Sequence, residues 1–155
     1  MHLVIPILAV ALFAAAAASD VRHRRISNRL SVGLALLGLA RIAIDLASGA
    51  GPWSAAGDIA AAAVVCALGA LAFHRRWLGG GDVKLLAAGA LFLGLGEVGP
   101  FLLATVLSGG ALAVGFVAWR CFLPGWRYRG GLPSLPYAVA IAVGGILATA
   151  SAWFA

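Results

Sequence analysis

Of the chain's 155 residues, 63% are hydrophobic and only 10% are Asp, Glu, Lys or Arg, with a mean hydropathy of +1.05. Those values exclude a soluble globular domain and predict an all-α integral membrane protein of about six transmembrane helices with short loops. Six spans of about 20 residues use most of the chain, so 1–155 reads as one polytopic membrane domain.

The net charge of +6 does not predict a nucleic-acid partner, because the basic residues punctuate apolar runs, as topology signals do. Cys66 and Cys121 lie in different runs, and His2, His23 and His74 are scattered. Neither a disulfide nor a metal site nor another cofactor is expected.

The first apolar run, 1–19, has no Lys or Arg ahead of it, whereas Arg22, Arg24, Arg25 and Arg29 follow it. That flank pattern favours an uncleaved first span, N-terminus outside, over a signal peptide. In a second run, 30–47, Arg41 and Asp45 are four apart and neutralise one another near the outer end. Ser48, Gly49, Gly51 and Pro52 break that helix, and a third run covers 54–73. Asp58 stands inside its outer end, where a structural role against the helix dipole is expected.

After the basic loop His74, Arg75 and Arg76, a fourth run from 83 to about 96 is too short for a full span unless the preceding glycine loop continues it. Glu97 and Pro100 mark an outer turn before a fifth run, 101–119. A basic Gly/Pro-rich connection, 120–134, leads to a sixth run, 135–152. Gly109, Gly110, Gly144 and Gly145 are placed for close helix approach. Of the 11 Lys and Arg residues, all but Arg41 fall at one membrane face, cytoplasmic by the positive-inside rule, and the 5 tryptophans fall near span ends. Both termini are then outside.

Chemistry concentrates at the stretch Gly79-Gly80-Gly81-Asp82-Val83-Lys84. Asp82 opens an apolar run, where an acid is a functional candidate by default; the plain alternative is an N-cap for the helix that follows. The topology brings Asp20, at the end of span one, to the same face, while Asp45, Asp58 and Glu97 belong to the other. Two acids at one depth are what an aspartyl dyad needs, one carboxylate taking a proton from water and the other donating one. Their repulsion splits the two titrations. The helix dipole and nearby cations point to Asp82 as the ionised base. Gly79 and Gly81 let a substrate backbone approach, Asn28 and Lys84 are supporting polar candidates, and Lys84 has snorkelling to the headgroups as its plain alternative.

The segment Asp20-Val21-Arg22-His23-Arg24-Arg25-Ile26-Ser27-Asn28, followed by Gly79-Gly80-Gly81-Asp82-Val83-Lys84, resembles the type IV prepilin peptidases, aspartyl proteases of the GxGD class. The short length resembles the small branch serving Flp, or tight-adherence, pili. The resemblance implies an endopeptidase of the bacterial inner membrane that cuts the basic leader from a pilin precursor at the cytoplasmic face, typically after a glycine. Asp20 and Asp82 would be its catalytic pair, with Gly79 and Gly81 shaping the loop and no metal.

Two departures stand out. Ser27 replaces the family's usual proline, which is expected to loosen the turn. The cysteine-rich zinc region of longer relatives is missing, so peptidase activity without N-methyltransferase activity is expected. Membrane lipids are expected partners, and the cluster Arg22, Arg24 and Arg25 has three readings: anionic headgroups, an acid in the substrate, or plain topology signalling. Two other classes remain, a small ion-coupled transporter with acids along a path and a non-catalytic pilus-assembly subunit that would tolerate asparagine at both positions.

Overall fold

The computed structural model describes residues 4–24, 26–122 and 137–154. Among the described residues six helices follow one another: α1 Val4–His23, α2 Asn28–Ala47, α3 Pro52–His74, α4 Gly80–Leu93, α5 Leu95–Phe122 and α6 Tyr137–Phe154. Helices α1, α2, α3 and α5 are long and apolar enough to cross a membrane, and the chain is a multi-pass membrane protein. Arg25, Trp126 and the connection over 123–134 lie outside the described residues.

Helix α4 is the centre of the packing. It touches α2, α3, α5 and α6, and Val83, Leu85, Ala88, Ala90, Phe92 and Leu93 are all buried. Its brevity follows from that position, since a helix enclosed by neighbours need not match the hydrocarbon thickness. The long helices instead turn apolar side chains outward, among them Val106 and Val114 of α5, as a lipid-facing surface requires. Trp53, Trp77 and Trp119 are exposed near helix ends.

Small residues set the helix spacings. A Cβ on Gly38 of α2 would stand 2.9 Å from the Phe92 backbone nitrogen, so α2 and α4 meet backbone to backbone. Gly89 receives the rings of Phe13 and Phe101, and Gly145 that of Phe13; the two ring centroids are 6.2 Å apart and tilted. Gly144 lies against Phe101 and Thr105, and Gly109 against Ala140, as expected of close-approach glycines. Gly110 meets nothing within 4 Å, so no packing contact accounts for it.

The outer turn differs from the expectation at Glu97 and Pro100. Gly94 alone joins α4 to α5: its N–H donates to Ala90 O at 2.9 Å and its carbonyl accepts from Val98 N–H at 3.0 Å. The turn needs the φ of +81° that glycine adopts without strain. Glu97 is thus in the first turn of α5 and Pro100 inside the helix. At this end Arg41 donates to Asp45 at 3.0 Å and to Asp58. Asp58 also accepts Leu95 N–H at 2.8 Å. Asp58 therefore caps α5 and pairs with Arg41, rather than serving the dipole of its own helix.

Candidate active site

Helix α1 runs beyond the expected span end, to His23. Asp20 is held within its last turn, where its backbone carbonyl accepts Arg24 N–H at 2.8 Å. Its side chain is half-buried and accepts the N–H of Ala138, in the first turn of α6, at 3.2 Å. A carboxylate at a helix N-terminus meets free N–H groups and the positive end of the dipole. No side-chain pattern announces this contact, which sequence reasoning missed.

Asp82 is not the N-cap of α4. Gly79 holds that position in extended conformation, the helix starts within the glycine stretch at Gly80, and Asp82 is the third helical residue. Its Oδ2 reaches back to accept Gly79 N–H at 3.2 Å, the reciprocal half of a capping box. Glycine at 79 leaves room for that fold-back, since a Cβ there would stand 2.8 Å from Oδ2. Gly81 belongs to the helix rather than the loop, and a Cβ on it would approach Ile26 Cβ to 3.1 Å. The second motif is thereby packed against the first, at Ile26.

The supporting candidates meet: Lys84 Nζ donates to Asn28 Oδ1 at 3.0 Å, joining α4 to the start of α2. Lys84 therefore has a protein partner instead of only reaching for headgroups. Ser27 has a defined place at its turn. It is the N-cap of α2 at φ −66°, and its Oγ accepts Arg29 N–H at 3.3 Å, so a hydroxyl cap supplies the helix start where a proline ring would restrain φ.

Asp20, Asp82, Gly79 and Tyr137 line one open cleft of about 890 Å³ at the basic end of the bundle. Asp82 is buried, with 9% of its surface exposed. It precedes the apolar run of α4 and lies outside the four spanning helices. Burial, and then the charge of Asp20, push its carboxyl from 3.8 up to about 6, against the Gly79 N–H, which lowers it. The direction of this shift runs against the expectation that the helix dipole and nearby cations favour an ionised Asp82. The dipole and local cations do not outweigh desolvation beside a second acid.

The family model of type IV leader peptidases matches residues 7–114, which include both motifs and most of the cleft. The chain belongs to the type IV leader peptidase family. Neither the curated proteins nor the solved structures contain a significant match. As a leader peptidase of an aspartic-type family, the chain has its two cleft acids at the basic face, and its other three acids, Asp45, Asp58 and Glu97, at the far ends of the helices. Among the described residues no three His, Cys, Asp or Glu side chains are grouped so as to hold a metal ion.

Proposed function

We propose that the chain is an aspartyl endopeptidase that uses Asp20 and Asp82 to cut the leader from a type IV pilin precursor. The observation that carries this reading is the shared cleft, lined by both Asp20 and the buried Asp82, whose carboxyl is raised by that burial and by the Asp20 charge. A dyad needs one proton between two carboxyls. Asp20, whose side chain is turned to the α6 N-terminus, is the carboxylate that takes a proton from water as the water oxygen attacks the scissile carbonyl carbon. The Asp82 carboxyl gives its proton to the carbonyl oxygen, forming a gem-diol. On collapse the C–N bond breaks, Asp20 passes its proton to the leaving amine, and a gem-diol hydroxyl returns one to Asp82.

The finer reading is a Flp-type precursor as substrate, cut at the cytoplasmic face of the bacterial inner membrane by a single membrane domain, with no N-methyl transfer to the new terminus. The basic residues at the cleft end support the cytoplasmic placement. A transporter is disfavoured, because the acids stand at the two ends of the bundle and not along a path. The test is incubation of the protein in lipid nanodiscs with a purified Flp-type precursor, followed by mass analysis of both fragments. A new N-terminus at one bond, without an added methyl group when S-adenosylmethionine is supplied, supports the reading; an intact precursor overturns it.

A further inference from the structure

Among the described residues only two that are not glycine have positive φ, Arg24 at +49° and Arg76 at +59°. Both occupy the position after a helix end where glycine is the usual residue. Arg24 N–H closes on Asp20 O at 2.8 Å behind α1. Behind α3, Arg76 N–H bonds Phe73 O at 2.9 Å and Trp77 N–H bonds Ala72 O at 2.9 Å, which is the paired bonding of a Schellman turn. A chain with 21 glycines has arginine at both. Left-handed backbone at a side-chain-bearing residue is disfavoured and gathers at functional sites, and both arginines line the cleft that holds Asp20 and Asp82.

The other cations of this end separate from them. Arg22, Arg29 and Arg75 are not part of the cleft lining, and Arg75 lies over the Trp77 ring at 5.9 Å. Neither Arg24 nor Arg76 pairs with a carboxylate among the described residues. Topology signalling and the negative ends of α1 and α3 are served equally by Arg22, His23, His74 and Arg75. What the two cleft arginines add is a pair of cationic side chains, behind the ends of different helices, in the lining of the space a substrate must enter.

We propose that Arg24 and Arg76 form a carboxylate-binding subsite that seats an acidic side chain of the precursor beside the dyad. Guanidinium forks bind carboxylates in bidentate geometry, and fixing one acid of the substrate sets which peptide bond reaches Asp20 and Asp82. The proposal rests on the peptidase reading above. A phospholipid headgroup is the competing ligand; Arg24 and Arg76 are as exposed as Arg22, Arg29 and Arg75, and what favours the substrate is their place in the lining of the cleft that holds Asp20 and Asp82.

The test is cleavage of a purified Flp-type precursor in nanodiscs by wild type, Arg24→Gly, Arg76→Gly and the control Arg29→Gln, which is not part of the cleft lining, with binding measured in an Asp82→Asn background. Glycine suits the left-handed backbone, so these variants keep their thermal midpoints, and Arg→Asn variants provide a second pair tolerant of that conformation. The expected result is KM and Kd raised about tenfold with kcat within about twofold. The difference should vanish for a precursor whose Asp and Glu residues are replaced by Asn and Gln. Unchanged KM and Kd in the arginine variants, with wild type still cutting, overturn the subsite and leave the peptidase standing. A KM effect that persists with the neutralised precursor and follows the anionic-lipid content of the nanodisc assigns the arginines to headgroups instead. If wild type neither binds nor cuts the precursor, the peptidase reading fails and the subsite with it.

Discussion

The N–H of Ala138 donates to the carboxylate of Asp20 across 118 positions of sequence, at 3.2 Å. The start of α6 is thus built into the cleft, although the two motif segments both lie before α5. The contact fixes one acid of the pair from behind while the other, Asp82, is fixed by Gly79 at 3.2 Å. Each carboxylate is oriented by a backbone N–H at a helix start, which leaves the rest of each group for water and substrate.

The raised Asp82 carboxyl predicts a pH-dependent stability. Its folded value, about 6, exceeds the ordinary 3.8, so the native state favours the protonated form. The contribution of Asp82 to stability is greatest below 3.8, falls as pH rises toward 6, and stays lowered above it. The shift corresponds to a cost on the order of 3 kcal/mol. Asp82→Asn removes the ionisation, so its thermal midpoint should exceed that of wild type at pH 7.5 and converge with it near pH 3.5. An offset of equal size at both pH values contradicts this account.

The same titration predicts a falling limb of activity. If protonated Asp82 is the acid, kcat/KM declines as pH rises through about 6. Replacing the burial partner is less direct than removing the neighbouring charge, so the check is the ionisation of Asp82 in Asp20→Asn, followed by carboxyl infrared difference spectra. Loss of the Asp20 charge should lower the Asp82 titration, and an unmoved band would show that the two acids do not interact.

At the other end, Asp58 joins three elements by accepting from Arg41 of α2 and Leu95 N–H of α5. Asp58→Ala leaves a part-buried guanidinium short of one carboxylate and uncaps α5. A loss of about 2–4 kcal/mol is expected, seen as a lower thermal midpoint. Specific activity per folded molecule should be retained, because this cluster is far from the cleft; a selective loss of kcat at unchanged stability would refute the structural role.

Gly38 and Gly110 provide a packing pair. Alanine at 38 drives a methyl into the Leu91–Phe92 backbone, which cannot rotate aside, whereas alanine at 110 meets open space. Gly38→Ala should destabilise by about 1–3 kcal/mol, and Gly110→Ala should be neutral or slightly stabilising. Equal denaturation midpoints for the two variants would mean that the α2–α4 contact is looser than described.

Much of this architecture was legible in the amino-acid sequence because charge and apolar length are separate signals. Arginine placement located the helix ends, and Asp20 and Asp82 were brought to one end by counting the helices between them. Backbone partners were not legible. Ala138 and Leu95 act through N–H groups that every residue but proline has, so no side-chain pattern points to them. Pro100 misled for a related reason: it signals a turn, yet α5 accommodates it near the N-terminus while Gly94 makes the turn. Ser27 had a readable role as an N-cap that comparison with the usual proline obscured. The left-handed arginines were hidden because glycine, the expected residue at those turns, is absent there.

The most direct test of the dyad is cleavage of a purified precursor by wild type, Asp20→Asn and Asp82→Asn in nanodiscs, at matched protein levels and with folding checked by thermal midpoint. Asparagine keeps the size of each side chain and removes its titratable group. The account predicts that both variants bind the precursor and lose cleavage by at least about a thousandfold. Cleavage at a near wild-type rate by either variant would contradict the dyad and leave that aspartate as a helix-terminal residue only.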